Sequence, residues 1–308
     1  MAGAEDLVAG VSDQRGAWQV ALAERGVPIP DHPLLAETLS PVWEASDYVA
    51  QSCIRHPNLL PELLGSGRLD RACAPGEIDQ LLAAALDGVE DAQSLSTRLR
   101  RFRRAEMVRV IWRDIARLAD LDETLEDLTA LADACVDRSL DALHRWAVAD
   151  HGTPRDDRGN AQRLVVLGMG KLGARELNLS SDIDLIFAFP AHGQTDGARP
   201  LSNEQFFTRL ARGLVQALDT QTPEGFVFRV DTRLRPFGDS GPLAMSFGAM
   251  EDYYQSQARE WERYAMIKAR VVAGDRNAGG QLCAMLRPFV YRRYLDFGAI
   301  ESLREMKE

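Results

Sequence analysis

At 308 residues, with 45% hydrophobic and 27% charged side chains, the chain is long enough for two ordinary domains and lies inside the globular class. A net charge of −10 opposes the long-range attraction on which non-specific polynucleotide binding relies, which argues against a nucleic-acid partner. No basic leader followed by an apolar stretch opens the sequence, and no run of about 18 apolar residues occurs, so a cytoplasmic protein without a membrane partner is expected.

Up to about residue 150 the pattern is helix after helix, rich in Ala, Leu and Arg. Val108, Ile111, Trp112, Ile115 and Leu118 are spaced to line one helical face, and so are Leu121, Leu125, Leu128, Ala132 and Cys135. Ala74-Pro75-Gly76 reads as a loop leading into a further helix. Arg98, Arg100, Arg101, Arg103 and Arg104 form a basic cluster; a solvated, salt-bridged helix face is expected there rather than a phosphate site. Cys53, Cys73, Cys135 and Cys283 lie far apart with no CxxC pair, which predicts buried free thiols.

The polar stretch 151–162 reads as a linker or exposed hairpin and places a domain boundary, with a helical domain over 1–150 and a second domain over 151–308. Beyond it, RLVVL (163–167), DIDLIFAF (182–189) and GFVFRVDTRL (225–234) are predicted strands. Residues 203–219 carry the periodicity of an amphipathic helix, and the chain from Met250 onward reads as mostly helical. The fold class expected is α+β, a helical region followed by a small mixed sheet with flanking helices.

Within the second region, GMGKLG at 168–173 spells the GxGxxG of a dinucleotide-binding turn, but the next strand starts only nine residues after Gly173. That leaves too little chain for a crossover helix, and the GxxxxGK[ST] spacing of a phosphate loop is also missing. What fits is a strand, a glycine turn, a short helix and a strand that opens Asp-Ile-Asp. Residues two apart on a strand share a face, so Asp182 and Asp184 project together while Ile183, Leu185 and Phe187 face the core. Paired carboxylates suit Mg²⁺ or Mn²⁺, hard cations that assist phosphoryl-type displacement. On the third strand Asp231, Arg233 and Arg235 are again two apart, a third carboxylate beside two guanidinium groups able to clamp phosphate. The competing reading is an exposed sheet face with accidental surface charges. Lys171 and the amides of the Gly168–Gly170 turn could cradle a phosphate, and Ser180 and Ser181 cap the chain or touch that phosphate. His32, His56, His144, His151 and His192 show no ligand or catalytic spacing and read as structural. Trp261, Tyr264 and Met266 read as helix packing, with Lys268 a lesser phosphate candidate.

The glycine turn, the short helix, SDIDLIF and the later VDTRLRP resemble the DNA polymerase beta-like nucleotidyltransferase superfamily. More narrowly, GMGKLGARELNLSSDIDLIFAFP, GFVFRVDTRLRPFGDSGPLAMSF, EWERYAMIKARVV and RPFVYRRYLDFGAIESLREMK resemble the bifunctional glutamine synthetase adenylyltransferase/adenylyl-removing enzymes, over nearly the whole chain. The flavour is that of their amino-terminal, adenylyl-removing half. The resemblance implies Asp182, Asp184 and Asp231 as metal ligands, Gly168, Gly170, Lys171 and Ser181 around the nucleotide phosphates, and Arg233 and Arg235 as neutralising groups. It also implies glutamine synthetase, the PII signal protein, ATP or ADP and orthophosphate as partners. The expected reaction is phosphorolytic removal of AMP from a tyrosine of glutamine synthetase; adenylyl transfer from ATP and a non-catalytic docking fragment are the alternatives. Ala174 stands where the family has a glycine. The chain also stops at Glu308, where the family continues with a GGIREIEF-like motif, which predicts a fragment.

Overall fold

The computed structural model describes residues 3–291, with side chains from Val11 onward; the helix expected to continue toward Glu308 and most of the RPFVYRRYLDFGAIESLREMK motif lie outside the described residues. Seven helices come first: α1 (Gly3–Glu24), α2 (Pro33–Ala45), α3 (Asp47–Arg55), α4 (Leu59–Gly65), α5 (Glu77–Ala85), α6 (Ala92–Ile115) and α7 (Leu121–His151). The chain then mixes strand and helix as β1 (Pro154–Asp156), β2 (Val165–Gly168), α8 (Gly170–Gly173), β3 (Ile183–Phe189), β4 (Gly193–Thr195), α9 (Asn203–Asp219) and β5 (Val230–Asp231). It closes with β6 (Ala244–Ser246), α10 (Phe247–Ser256), α11 (Glu260–Ile267), β7 (Arg270–Gly274) and α12 (Arg276–Val290). This is the expected α+β architecture. Two compact units result, one of residues 1–81 with 100–131 and the other of 82–99 with 132–308.

In the first unit, Pro33 starts α2, where its missing N–H costs nothing, and Ser46 caps α3 by accepting from the Val49 amide. Trp18 and Trp43 meet edge to face at 5.8 Å, and the Trp112 indole donates to Thr38 Oγ1 at 3.0 Å. The predicted faces of α6 and α7 are buried at Val108, Ile111, Trp112, Leu128, Ala132 and Cys135. Leu118 and Leu121 are exposed instead, because α6 ends at Ile115 and α7 only begins at Leu121.

In the basic cluster Arg98 and Arg101 are exposed as expected, and Arg100 is the departure. Arg100 is fully buried and Arg103 reaches the Tyr48 hydroxyl, while Arg98, in the second unit, donates to the carbonyls of Ala85 and Asp87 at and just beyond the C-terminal end of α5. Of the four free cysteines, Cys53 and Cys135 are buried and Cys73 and Cys283 half-buried. Burial alone pushes the Cys53 thiol up to about 12. No described helix is long and apolar enough to cross a membrane.

The second unit is built on a mixed sheet in the order β5-β3-β2-β7, with β6 pairing β3 at its other end. β3 runs antiparallel to β2 and parallel to both β5 and β6, while β1 and β4 form a separate antiparallel pair. One face carries Val165, Leu167, Ile186 and Ala188 against Met250, Tyr254, Met266 and Leu282 from the last three helices. The other receives α9, where Phe207 stacks on Phe189 at 5.2 Å. α9 spans the residues its period predicted, and a reciprocal Ser202–Gln205 box caps it.

Two strand expectations need correction. Of 225–234 only Val230–Asp231 is strand, because the amides of Val227 and Phe228 are taken by the Leu218 carbonyl at the end of α9. Conversely β7 interrupts the region from Met250 onward read as mostly helical, and β6, just before that region, is not among the predicted strands. At five and three residues they are too short for periodicity to separate from their helical neighbours. Trp261, read as packing, is 40% exposed, whereas Met266 is buried.

His144 on α7 lies edge to face with Phe206 of α9 at 5.9 Å. Burial, followed by the nearby Arg163 charge, pushes its imidazole from the ordinary 6.5 down to about 4. Since the unfolded chain takes up a proton there first, stability is expected to fall as pH drops from about 6.5 toward 4. Urea titrations at pH 7 and pH 5 should differ less for His144→Gln than for the wild type; an unchanged difference would assign the acid sensitivity elsewhere.

Candidate active site

β2 delivers Gly168 and the buried Met169 to the mouth of the sheet, and α8 starts at once with Gly170. Gly170 has φ +52°, and a Cβ there would lie 2.9 Å from Asp184 Oδ2, so only glycine lets this backbone approach the carboxylate. The Met169 amide donates to the Asp184 carbonyl at 2.9 Å, locking the turn to the start of β3. Lys171 donates to Ser181 Oγ at 3.2 Å, and Ser181 in turn donates to Asn178 Oδ1, closing the loop between α8 and β3.

Parallel pairing sets Ile183 beside Val230 and Asp184 beside Asp231. The two strands are therefore neighbours, and in-register partners of a parallel pair share a face. Burial first, then the charges of Asp231 and Asp182, hold the half-buried Asp184 carboxyl above the ordinary carboxylate range. Asp231 moves the opposite way, chiefly because the Arg233 side chain binds it, with Nε 2.8 Å from Oδ2 and the Arg233 amide 2.8 Å from Oδ1. Asp182, just before β3, pairs with Arg229 Nε, while Arg229 Nη2 donates to the Ser180 carbonyl at 2.9 Å.

Asp182, Asp184, Asp231, Arg233, Gly168 and Gly170 are thus brought together, with Lys171 and Ser181 joined on the adjoining loop. The alternation argument fails for the arginines, since the strand stops at Asp231 and the chain turns. Arg233 meets Asp231 by folding back, and Arg235 is held in the turn by the Thr232 carbonyl at 2.8 Å and by Asp239 at 3.5 Å. Lys268 pairs with Glu176 at 2.9 Å. Arg229 was not singled out from the sequence, although the spacing that joins Asp231 to Arg233 reaches it one step earlier. Among the described residues no three acidic, histidine or cysteine side chains converge in a ligand cage as they stand. Two of the three carboxylates are turned toward an arginine, and Asp184 has no ion pair among the described residues.

A mutually repelling set of hard oxygen donors, two of them already held by cationic groups, has the chemistry of a divalent-cation site. Beside it lie a glycine turn and a lysine, residue types suited to a phosphate.

The family model described as glutamate-ammonia ligase adenylyltransferase matches residues 36–284. The chain is 58% identical over 94% of its length to the bifunctional glutamine synthetase adenylyltransferase/adenylyl-removing enzyme of Nitrosococcus oceani. It is 54% identical over 94% to that of Thioalkalivibrio sulfidiphilus, and 59% identical over 87% to that of Pseudomonas aeruginosa. It spans about 30% of the length of these relatives. The chain belongs to the glutamate-ammonia ligase adenylyltransferase family.

Proposed function

We propose that this chain removes AMP from an adenylylated tyrosine of glutamine synthetase by metal-dependent phosphorolysis, releasing ADP. The observation that carries the reading is the in-register pairing of Asp184 with Asp231, which sets two carboxylates beside Asp182 and within reach of the glycine turn. Asp182, Asp184 and Asp231 would hold Mg²⁺ or Mn²⁺, which when bound supplies neutralisation of phosphate oxygens as charge builds between nucleophile and leaving group. Asp182 and Asp231, paired here with the guanidinium groups of Arg229 and Arg233, would exchange those partners to serve as ligands. Freed of the carboxylates, Arg233 can clamp phosphate oxygens, with Arg235 adding charge from the turn. The glycine turn at Gly168 and Gly170, together with Lys171, would orient the α-phosphate, with Ser181 as a further donor, while the Met169 amide stays on the Asp184 carbonyl.

Orthophosphate oxygen forms the new bond to the AMP phosphorus, the bond from phosphorus to the tyrosine oxygen breaks, and the proton of orthophosphate ends on the tyrosine hydroxyl. Little acid or base catalysis is demanded; positioning and charge neutralisation lower the barrier. The adenylyl-removing assignment, and with it PII as a proposed regulatory partner, rests on the likeness of the motifs to the family's amino-terminal half. The relatives' names carry both activities, which favours adenylyl transfer from ATP as the second reading.

Supplying adenylylated glutamine synthetase, Mg²⁺ and orthophosphate separates the two. ADP is expected to appear. Consumption of ATP with release of pyrophosphate onto the unmodified synthetase, without ADP from the modified one, would replace removal by transfer.

A further inference from the structure

Arg270 opens β7 opposite Gly168, the residue that ends β2. Its guanidinium grips Asp133 of α7 through two bonds, Nη1 to Oδ2 at 2.7 Å and Nη2 to Oδ1 at 3.0 Å. The same group donates Nη2 to the Leu172 carbonyl at 2.8 Å and Nε to the Gly173 carbonyl at 3.2 Å. Those carbonyls lie in the last turn of α8, where the Leu172 carbonyl otherwise takes a 3.3 Å bond from the Arg175 amide and the guanidinium adds a charged donor. One planar fork therefore satisfies a carboxylate and a helix end at once. Both side chains are largely buried, at 24% and 20% exposed.

α7 repeats an acidic residue every fourth position, which is one helical face. Asp137 accepts from the Gly274 amide at 3.0 Å, and Asp141 pairs with Arg163. Of these acids Asp133 is the one whose partner touches α8. Gly173 leaves that helix no room to shift, since a Cβ there would fall 1.9 Å from the Lys268 carbonyl oxygen.

We propose that the Arg270–Asp133 pair is a positioning device for the nucleotide-phosphate pocket, setting the orientation of α8, and with it Gly170 and Lys171, without touching the ligand. This rests on the reading that the glycine turn holds nucleotide phosphate. Lysine cannot replace Arg270, because one ammonium cannot span a bidentate carboxylate and two carbonyls. The three candidate metal ligands stand on or beside β3 and β5, whose register is set by sheet hydrogen bonds. The clamp therefore acts on nucleotide and leaves the cation site alone.

The test titrates the chain with Mn²⁺ alone, and with ADP at saturating Mn²⁺, by calorimetry, and follows thermal unfolding alongside. Arg270→Lys is expected to weaken ADP binding about tenfold while Mn²⁺ affinity stays within about twofold, in keeping with a displaced rather than deleted contact. Asp133→Asn, which leaves Arg270 on the carbonyls, should weaken ADP about threefold and supplies the result if Arg270→Lys does not fold. Asp141→Asn, on the same helix face, should change neither affinity. Wild-type ADP binding in both clamp variants, or loss of ADP and Mn²⁺ in step with falling stability, overturns the proposal. If Lys171→Ala binds ADP as the wild type does, the reading of the glycine turn itself fails. Weakened Lys171→Ala beside normal Arg270→Lys sinks only the positioning role.

Discussion

Asp184→Asn is expected to lower turnover by on the order of a thousandfold while leaving thermal stability level or slightly higher at neutral pH. The side chain is half-buried, and burial together with the charges of Asp231 and Asp182 already disfavours its ionised form. A carboxyl whose folded-state affinity for protons is raised costs stability at any pH where the unfolded chain has it ionised. The neutral amide of the same shape removes that cost and also removes the oxygen charge on which a cation would depend. Activity and melting temperature measured on the same preparation decide the matter. A fall in stability that accounts for the lost activity would make Asp184 a structural residue.

The largest effect on stability is expected in the first unit. Arg109 is completely buried and pairs with Glu106, also completely buried, at 2.9 Å and with Asp127 at 2.9 Å; Glu106 is held as well by Arg68. Arg109→Met keeps much of the volume but leaves buried carboxylates without their main counter-charge, which should cost about 3–5 kcal/mol. Adding Glu106→Gln should recover part of that loss, since fewer uncompensated charges then remain in the interior. Urea unfolding of the single and double variants measures both. A loss below about 1 kcal/mol would mean that water or rearrangement reaches the network.

How far the sequence reveals this molecule depends on the range of each interaction. α9 is legible to the residue because its apolar spacing and its Ser202–Gln205 box are both local signals. The start of β3 is legible because Asp182 and Asp184 break an otherwise apolar run, and the short gap after Gly173 excludes a crossover helix. The arginines are less so. Arg233 was expected beside Asp231 by strand alternation and arrives there through a turn, because Val227 and Phe228 are bound at the end of α9 instead of extending the sheet. Arg229 owes its place to Asp182, 47 residues away, and Arg270 to Asp133, 137 residues away, partners that no periodicity connects. Arg100 was read as solvated because its neighbours are charged, yet burial follows from what packs over the helix and not from composition.

The most direct test of the central claim is a calorimetric titration of this chain with Mn²⁺ in the absence of nucleotide. Binding of two ions by the wild type is expected, with affinity lost in both Asp182→Asn and Asp231→Asn while each variant stays folded. Unchanged Mn²⁺ affinity in the two variants would contradict the assignment of these carboxylates as the metal site.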